Sequence, residues 1–385
     1  MKVKCRPEDF RVQEIINLRL KPKGAYSIYL LEKKGWNTLD VIRHLEERHR
    51  LRPLSRAGLK DRHSHSFQYL SKPGPGPRSI KEKNYSLRLV GMADEPVTRE
   101  ALVGNSFRIT LRSLTDDELG AIQAAIPEVR RYGFPNYYDE QRLGSARHGK
   151  GFIGRKLIDR HYNGALKLYL ATPSAADDPK TRHTKAQIGA NWGDWQKCRA
   201  FAPAEARPAL EYLTLHPRRF DKAVQLLPRT MLELFINAYQ AWLWNEILAA
   251  LLREIRVVAA ELSYPFGKLA FYRSLSPADC RYLSGLTIPA PGPKAVFASD
   301  RVARITSEVL AREGLELKDL KLGFRIKGLF FKPYDRPAIA TPRNLNSVQP
   351  EPDELYPGRK KLTLSFFLPS GSFATILIKR LSLFS

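Results

Sequence analysis

Tyr85-Ser-Leu-Arg-Leu89 and Phe107-Arg-Ile-Thr-Leu-Arg112 set the architecture of this chain. In the first, Tyr85, Leu87 and Leu89 share one side of an extended backbone. In the second, Phe107, Ile109 and Leu111 repeat the pattern with Arg108, Thr110 and Arg112 opposite. Successive side chains of a strand point to opposite faces, so this alternation describes strands with one buried and one solvated face, the habit of antiparallel sheets. Upstream, residues 8–31 hold two shorter alternating pieces, the second being Tyr26-Ser-Ile-Tyr-Leu-Leu31. A helix is expected after Asn37, with Asp40 at its third position and Leu39, Ile42 and Leu45 at helical spacing. Another is expected over Ser113 to Arg131, where Leu119, Ile122 and Ile126 share a face. Strands and helices alternate without a parallel-sheet rhythm, and the expected fold class is α+β with a mixed, largely antiparallel sheet.

Further along, Ser71-Lys-Pro-Gly-Pro-Gly-Pro-Arg78 is a breaker run after the strand candidate Phe67-Gln-Tyr-Leu70. From about 152 to 330 the character changes. Phe235, Tyr239, Leu243, Ile247 and Leu251 step by four, Leu232 and Ile236 widen the stripe, and Trp242 and Trp244 leave little polar face, the pattern of a core helix. A second helix is expected from Ala186 to Phe201. Residues 333–358 read as a long polar connection. Then Leu362, Leu364 and Phe366 alternate, Pro369-Ser-Gly-Ser372 turns, and Phe373-Ala-Thr-Ile-Leu-Ile378 is apolar on both faces, which predicts a central strand.

Charge narrows the partners. The 385 residues carry 64 Lys and Arg against 39 Asp and Glu, a net charge of +25. Such a field draws polyanions and makes their binding salt-sensitive. A basic amphipathic helix, an apolar anchor and a run long enough to span a membrane are all missing, so a membrane partner is not expected. Met1-Lys-Val-Lys-Cys-Arg-Pro7 lacks the apolar core of a signal peptide, and a cytoplasmic location, or a nuclear one in a eukaryote, is expected. Cys5, Cys198 and Cys280 lie far apart and read as reduced thiols. His63 and His65 have no second pair to complete a metal site, so they read as loop or RNA-facing residues and no metal is expected.

Chemistry concentrates in Ala57-Gly-Leu-Lys-Asp-Arg-His-Ser-His-Ser-Phe-Gln68. Asp61 stands between Lys60 and Arg62, cations that favour its ionised form, and an ionised carboxylate can attack an electrophilic carbon. Spacing alone favours a solvated ion pair, because short charged triplets are common and exposed pairs contribute little. The segment Gly133 to Arg160 adds Asn136, Tyr137, Tyr138 and Gln141, then Arg142, Arg147, Lys150, Arg155 and Lys156. Aromatic faces beside Arg and Lys suit an unstacked nucleotide, and an inward-packed tyrosine turn is the competing reading. Within it Gly144-Ser-Ala-Arg-His-Gly-Lys-Gly151 has P-loop spacing, but Gly151 replaces the Mg²⁺-binding Ser or Thr and no apolar strand leads in, so no nucleotide cofactor is expected.

Five ordered motifs carry a resemblance: Arg6-Pro-Glu-Asp-Phe-Arg-Val-Gln-Glu14; Gly58-Leu-Lys-Asp-Arg62 with Gln68; Gly133-Phe-Pro-Asn-Tyr-Tyr-Asp-Glu-Gln-Arg-Leu-Gly144; Asn237-Ala-Tyr-Gln-Ala-Trp-Leu-Trp-Asn245; and Leu368-Pro-Ser-Gly-Ser-Phe-Ala-Thr375. Together the chain resembles the TruD family of pseudouridine synthases over nearly its whole length. The resemblance implies a catalytic domain, residues 1–151 and 331–385, interrupted by a family-specific α/β insertion domain, residues 152–330. It implies cofactor-free isomerisation of a uridine in tRNA, position 13 in the D-arm region being the family's expectation, by a monomeric chain. By match Asp61 is the catalytic carboxylate, and Lys60 or Arg62 is expected to orient it or hold a phosphate. Asn136 and Tyr138 match base-holding positions, with Tyr138 where Phe is common and Asp139 where Gly is common. Gln141, Arg142, Arg147 and Lys150 are expected to bind the substrate, and Phe373 to stack on the uracil. The alternative is a basic RNA-binding or folding protein on the same scaffold whose chemistry has lapsed.

Overall fold

Both alternating segments are strands of one ten-stranded sheet. In the computed structural model, which describes residues 1–146, 150–174 and 177–384, its strands are β1 (Phe10–Ile16), β2 (Tyr26–Lys34), β3 (Ser55–Arg56), β4 (His65–Pro73), β5 (Ser79–Lys81), β6 (Tyr85–Ala93), β7 (Leu102–Leu114), β8 (Arg343–Ser347), β9 (Glu351–Pro352) and β10 (Lys360–Pro369). The main path runs β8-β10-β7-β1-β4-β2-β6-β5, with β9 paired to β10 and β3 to β4. Every pairing is antiparallel except that of β1 with β4, where Arg11, Val12 and Gln13 lie opposite His65, Ser66 and Phe67. Two antiparallel halves thus meet at one parallel seam, and the chain entering β4 there is the Asp61 loop. The class is the mixed, largely antiparallel α+β fold that the alternation predicts.

Period-two burial explains the pairing of β7 with β10. Phe107, Ile109 and Leu111 lie opposite Phe366, Leu364 and Leu362, all buried, with the Phe107 and Phe366 rings stacked at 5.2 Å. Arg108 faces solvent as expected, but Arg112 does not: it is 5% exposed. Its guanidinium bonds both oxygens of Asp9 at 2.9 Å, Asp353 at 2.9 Å and Glu354 at 3.0 Å, and this pairing allows a charge to enter the core. Burial pushes the Asp353 carboxyl up, but the Ser113 and Leu355 amides and Arg112 outweigh it and hold the group below its ordinary value.

One face of the sheet is covered by α1 (Thr38–Arg48), whose Val41, Ile42 and Leu45 pack on Tyr29, Leu31, Leu70, Tyr85 and Leu87. Ile28, Ala57, Ala93 and Val97 form a smaller cluster. The helix α2 (Asp116–Tyr132) opens with reciprocal bonds between Thr115 and Glu118. It ends at Gly133, where φ is +66 and a Cβ would meet the Ala340 carbonyl oxygen at 2.7 Å, so only glycine fits. The run Phe373 to Ile378, expected as a central strand, is corrected by the structure: Ala374–Ser382 is a helix. Ala374, Leu377, Ile378 and Leu381 recur on it at helical spacing, all buried, and buried Arg380 bonds Glu128 on α2 at 2.9 Å.

The chain divides into two compact units, Met1–Phe134 with Ala340–Ser385 and, between them in sequence, Pro135–Ile339. The second is wider at both ends than the 152–330 segment read from the sequence. It is mainly helical and centred on α3 (Arg229–Glu254), where Leu232, Phe235, Ile236, Tyr239, Leu243, Trp244, Ile247 and Leu251 are all buried. The single helix expected over Ala186 to Phe201 is two, Pro179–Ala190 and Trp195–Phe201. Gly193 breaks it with φ +109, and the Asp194 side chain caps the second piece at the Lys197 amide, 3.1 Å. Two-stranded ladders join Ala260–Tyr264 to Gly267–Phe271 and Thr287–Pro289 to Asp335–Pro337. The supposed connection 333–358 therefore contributes Asp335–Pro337, β8 and β9.

Replacing Arg112 by Met leaves Asp9 and Asp353 buried without their cation. The expected loss is about 3–5 kcal/mol of unfolding free energy, read by urea denaturation at pH 7; a loss under about 1 kcal/mol would show that the network contributes nothing net.

Candidate active site

The loop that enters β4 at the parallel seam is held by buried polar groups from three neighbouring elements. Thr38, the first residue of α1, accepts the Lys60 amide at 2.9 Å and donates to Gln68 Oε1 at 2.8 Å. Lys33 on β2 is fully buried and donates to the carbonyls of Trp36 at 2.8 Å, Asp61 at 2.9 Å and Lys60 at 3.3 Å. Ser64 closes the turn by donating to the Asp61 carbonyl at 2.8 Å. Glu14 on β1, also fully buried, accepts Lys60 Nζ at 2.5 Å with one oxygen and the Tyr69 amide at 2.9 Å with the other. The β1–β4 ladder stops at Gln13 and Phe67, so that carboxylate takes the place of a strand partner.

Asp61 itself remains reachable, its side chain 24% exposed. Neither sequence neighbour touches its carboxylate as expected. Lys60 turns inward to Glu14, and Arg62 is exposed with Nε donating to the Gly35 carbonyl at 3.2 Å. The partner is Lys4, whose Nζ lies 2.5 Å from Asp61 Oδ2 and 4.4 Å from the centre of the Phe10 ring. The Lys4 backbone is left-handed, φ +61. Burial pushes the Asp61 carboxyl up, but the hydrogen bond and charge of Lys4, with the amide and charge of His63, outweigh it and hold the group below its ordinary value. An ionised, half-buried carboxylate beside an ammonium can serve as nucleophile or base. Phe373, half-buried, immediately precedes the Ala374–Ser382 helix in the same unit.

His63 is exposed, but His65 is not RNA-facing: it is 8% exposed, and its Nε2 lies 2.7 Å from Glu32. Among the described residues His44, His49 and Glu82 bring one ligand atom each within 4.8 Å of one another. These groups already satisfy their neighbours. His49 Nε2 is 3.0 Å from Glu82, His44 Nδ1 is 2.7 Å from the Tyr85 hydroxyl, and Arg48 Nε, 3.7 Å from Glu82, opposes a second cation.

In the second unit, the motif from 135 to 142 turns inward. Asn136 is 3% exposed; its Nδ2 donates to the Pro337 carbonyl at 3.1 Å, and its Oδ1 and carbonyl accept Arg336 Nη2 at 2.9 and 2.6 Å. Tyr137 is fully buried and donates to the Ala270 carbonyl at 2.8 Å. Tyr138, 5% exposed, shares a 2.5 Å hydrogen bond with the Tyr334 hydroxyl. Its ring meets Trp244 edge-on at 5.5 Å and lies under the Arg336 guanidinium at 4.0 Å. Asn245 grips the Tyr138 backbone with both ends of its amide, at 2.8 and 2.9 Å. Burial pushes the Tyr138 phenol well up. Asp139 is buried with an ordinary negative φ, so the position does not require the glycine common in the family pattern. Gln141 is exposed and Arg142 half-exposed at the start of a 3-10 helix, Glu140–Ala146, and Lys150 is exposed. Arg147 lies outside the described residues. The 144–151 run begins in that 3-10 helix and not after a strand, so the P-loop reading has no support.

Lys4, Lys33, Glu14 and Arg336 are the residues that sequence reasoning missed. Glu14 and Lys33 interrupt strand pattern with a charge, whereas Lys4 and Arg336 lie in stretches without strand pattern.

The family model described as tRNA pseudouridine synthase D (TruD) matches residues 1–262 and 281–381. "Probable tRNA pseudouridine synthase D 1" of Methanococcus maripaludis is 32% identical over 392 residues, 99% of this chain and 99% of that one. The tRNA pseudouridine synthase D of Aquifex aeolicus is 32% identical over 396 residues, 99% of this chain and 98% of that one. The solved structure of the "Putative tRNA pseudouridine synthase D (TruD)" from Methanosarcina mazei matches with a TM-score of 0.72 and 24% identity over 99% of this chain and 93% of that one, a likeness of fold.

Glu14→Gln keeps the acceptor for the Tyr69 amide but strands the buried Lys60 ammonium. It is expected to cost about 3 kcal/mol, and Lys60→Met added to it should restore at least about 1 kcal/mol, read by urea denaturation of the two single variants and the double. Strict additivity would show that the pair is not coupled.

Proposed function

The chain belongs to the TruD family of tRNA pseudouridine synthases, and on that premise we propose that Asp61 carries the isomerisation of a tRNA uridine, position 13 in the D-arm region, without metal or nucleotide cofactor. The observation that carries this reading is the reachable Asp61 carboxylate, held ionised by Lys4 on a loop whose backbone is fixed on both sides. The reaction breaks the bond from ribose C1′ to uracil N1 and makes one from C1′ to C5; the proton displaced from C5 is lost to water and N1 gains one. Atoms balance without an oxidant or reductant. Asp61 supplies the one group such chemistry needs, a carboxylate that attacks the base or sugar, or removes a sugar proton. Lys4 keeps it charged and oriented.

The target uridine must leave its stack, which calls for an aromatic platform and phosphate grips. Phe373 is assigned the platform by the family pattern, and Asn136 and Tyr138 the holding of the base. Both of the latter are buried, so they act by shaping a wall, with Arg336 and Tyr334 fixing the Tyr138 ring. Gln141, Arg142, Arg147 and Lys150 are assigned the backbone phosphates, as the net charge of +25 favours. Lys60 is assigned to the loop's own support through Glu14, and Arg62 to the substrate. Met1–Phe134 with Ala340–Ser385 is read as the catalytic domain and Pro135–Ile339 as the family's insertion domain.

Bulk tRNA tritiated at uracil C5 and incubated with the protein in EDTA should release tritium to water. Asp61→Asn should slow release at least about a thousandfold while tRNA affinity stays within about threefold, because phosphate contacts carry most of the binding. Undiminished release by Asp61→Asn would overturn the assignment; salt-sensitive binding by the wild type without release from any cellular RNA would favour a lapsed enzyme. Lys150→Gln should instead weaken binding and make its salt dependence shallower by roughly one unit of log–log slope, measured by filter binding across salt; an unchanged slope would remove Lys150 from the phosphate contacts.

A further inference from the structure

Lys33 is a buried cation for which the proposed chemistry has no direct use. Its side chain points into the space between β2, the start of α1 and the Asp61 loop, and its three N–H groups meet three backbone carbonyls, of Trp36, Lys60 and Asp61. The first belongs to the turn between β2 and α1, and the other two belong to the peptide groups that flank the Asp61 α-carbon. Removing an ammonium from water is costly, and an apolar side chain of the same length would fill the space more cheaply. A neutral amine has only two N–H groups, so its lone pair would face one of the three oxygens. The site therefore needs the charged form.

We propose that Lys33 is the positioning residue of the Asp61 loop, clamping the carbonyls of Lys60 and Asp61 so that the carboxylate stays aimed beside Lys4. The inference rests on the reading of Asp61 as the catalytic carboxylate and deepens it. Thr38 fixes the Lys60 amide and Ser64 the far side of the turn, so loss of the Lys33 bonds frees the segment between them without unfolding it. Lys33 makes no hydrogen bond to the Asp61 carboxylate or to Lys4; it acts through the loop backbone and through its charge.

The clamp has a built-in alkaline limit. Burial pulls the Lys33 ammonium down to about 8; the Asp61 charge resists this and the Lys60 charge adds to it. Tyr85, the cross-strand neighbour of Lys33 on β6, stays neutral in this range, its phenol pushed up to about 12 by burial and Glu82. Because the folded value lies below the ordinary 10.5 of lysine, proton loss between the two favours the folded state over the unfolded one. The clamp is therefore expected to loosen as pH rises through about 8, with no fall in stability from this group.

Three readings on the full-length protein test this. Lys33→Met should lower single-turnover kcat roughly a hundredfold with KM within about threefold. Amide exchange over residues 57–64 should quicken in that variant while β7 and β10 keep their protection. In the free wild-type protein, exchange of the same loop, normalised to β7 and β10, should quicken as pH rises through about 8, a readout available even if Lys33→Met fails to fold. Wild-type kcat and loop protection in Lys33→Met would overturn the inference, as would loop exchange that keeps pace with the sheet from pH 7 to 9.5. Failure of the underlying reading is distinct: there Asp61→Asn itself would turn over.

Discussion

A half-buried carboxylate must stay charged, and much of the first unit answers to that requirement. Burial alone pushes the Asp61 carboxyl up. Lys4, reaching across from the N-terminal segment at 2.5 Å, reverses the balance. The carboxylate can then be both ionised and incompletely hydrated, the condition in which it is most reactive. Its aim depends on backbone, and the backbone depends on Lys33, Thr38 and Ser64. Their scaffold is the seam where two antiparallel half-sheets meet in the parallel pair of β1 and β4, with Glu14 finishing the ladder where the strands stop pairing.

The sheet was legible because its signal is local. Alternation in 85–89, 107–112 and 362–366 specifies faces directly, and the structure buries those faces. The run from Phe373 to Ile378 misled because a short apolar segment does not distinguish a strand from a buried helix. Extending the window to Leu381 shows the three- and four-residue spacing that the structure realises. Arg112 misled in the opposite sense. Its face in the pattern is polar, and only Asp9, Asp353 and Glu354, brought together by tertiary structure, explain a charge in the core.

The site was legible only in part, for the same reason. Asp61 stands out between two cations, yet neither of them is its partner: Lys60 and Arg62 turn away, and the cation that holds Asp61 lies 57 residues earlier in the chain. Glu14 and Lys60 are 46 residues apart, and Lys33 and Asp61 are 28. Pairs at such separation leave no trace in spacing. In the motif at 133–144 the choice between an inward-packed turn and a nucleotide platform was open from residues alone. Tyr137 and Tyr138 are buried, and the Asn136 amide is bonded to Arg336 and to the Pro337 carbonyl. The polar groups this motif leaves toward solvent are those of Gln141, exposed, and Arg142, half-exposed.

The most direct test of this account is a titration of the Asp61 carboxyl carbon by NMR in the wild-type protein and in Lys4→Met. The account predicts a wild-type midpoint below the ordinary aspartate value of 3.8 and a higher midpoint once Lys4 is gone, because burial is then opposed only by the amide and charge of His63. A wild-type midpoint at or above the ordinary value, or one that Lys4→Met leaves in place, would contradict it.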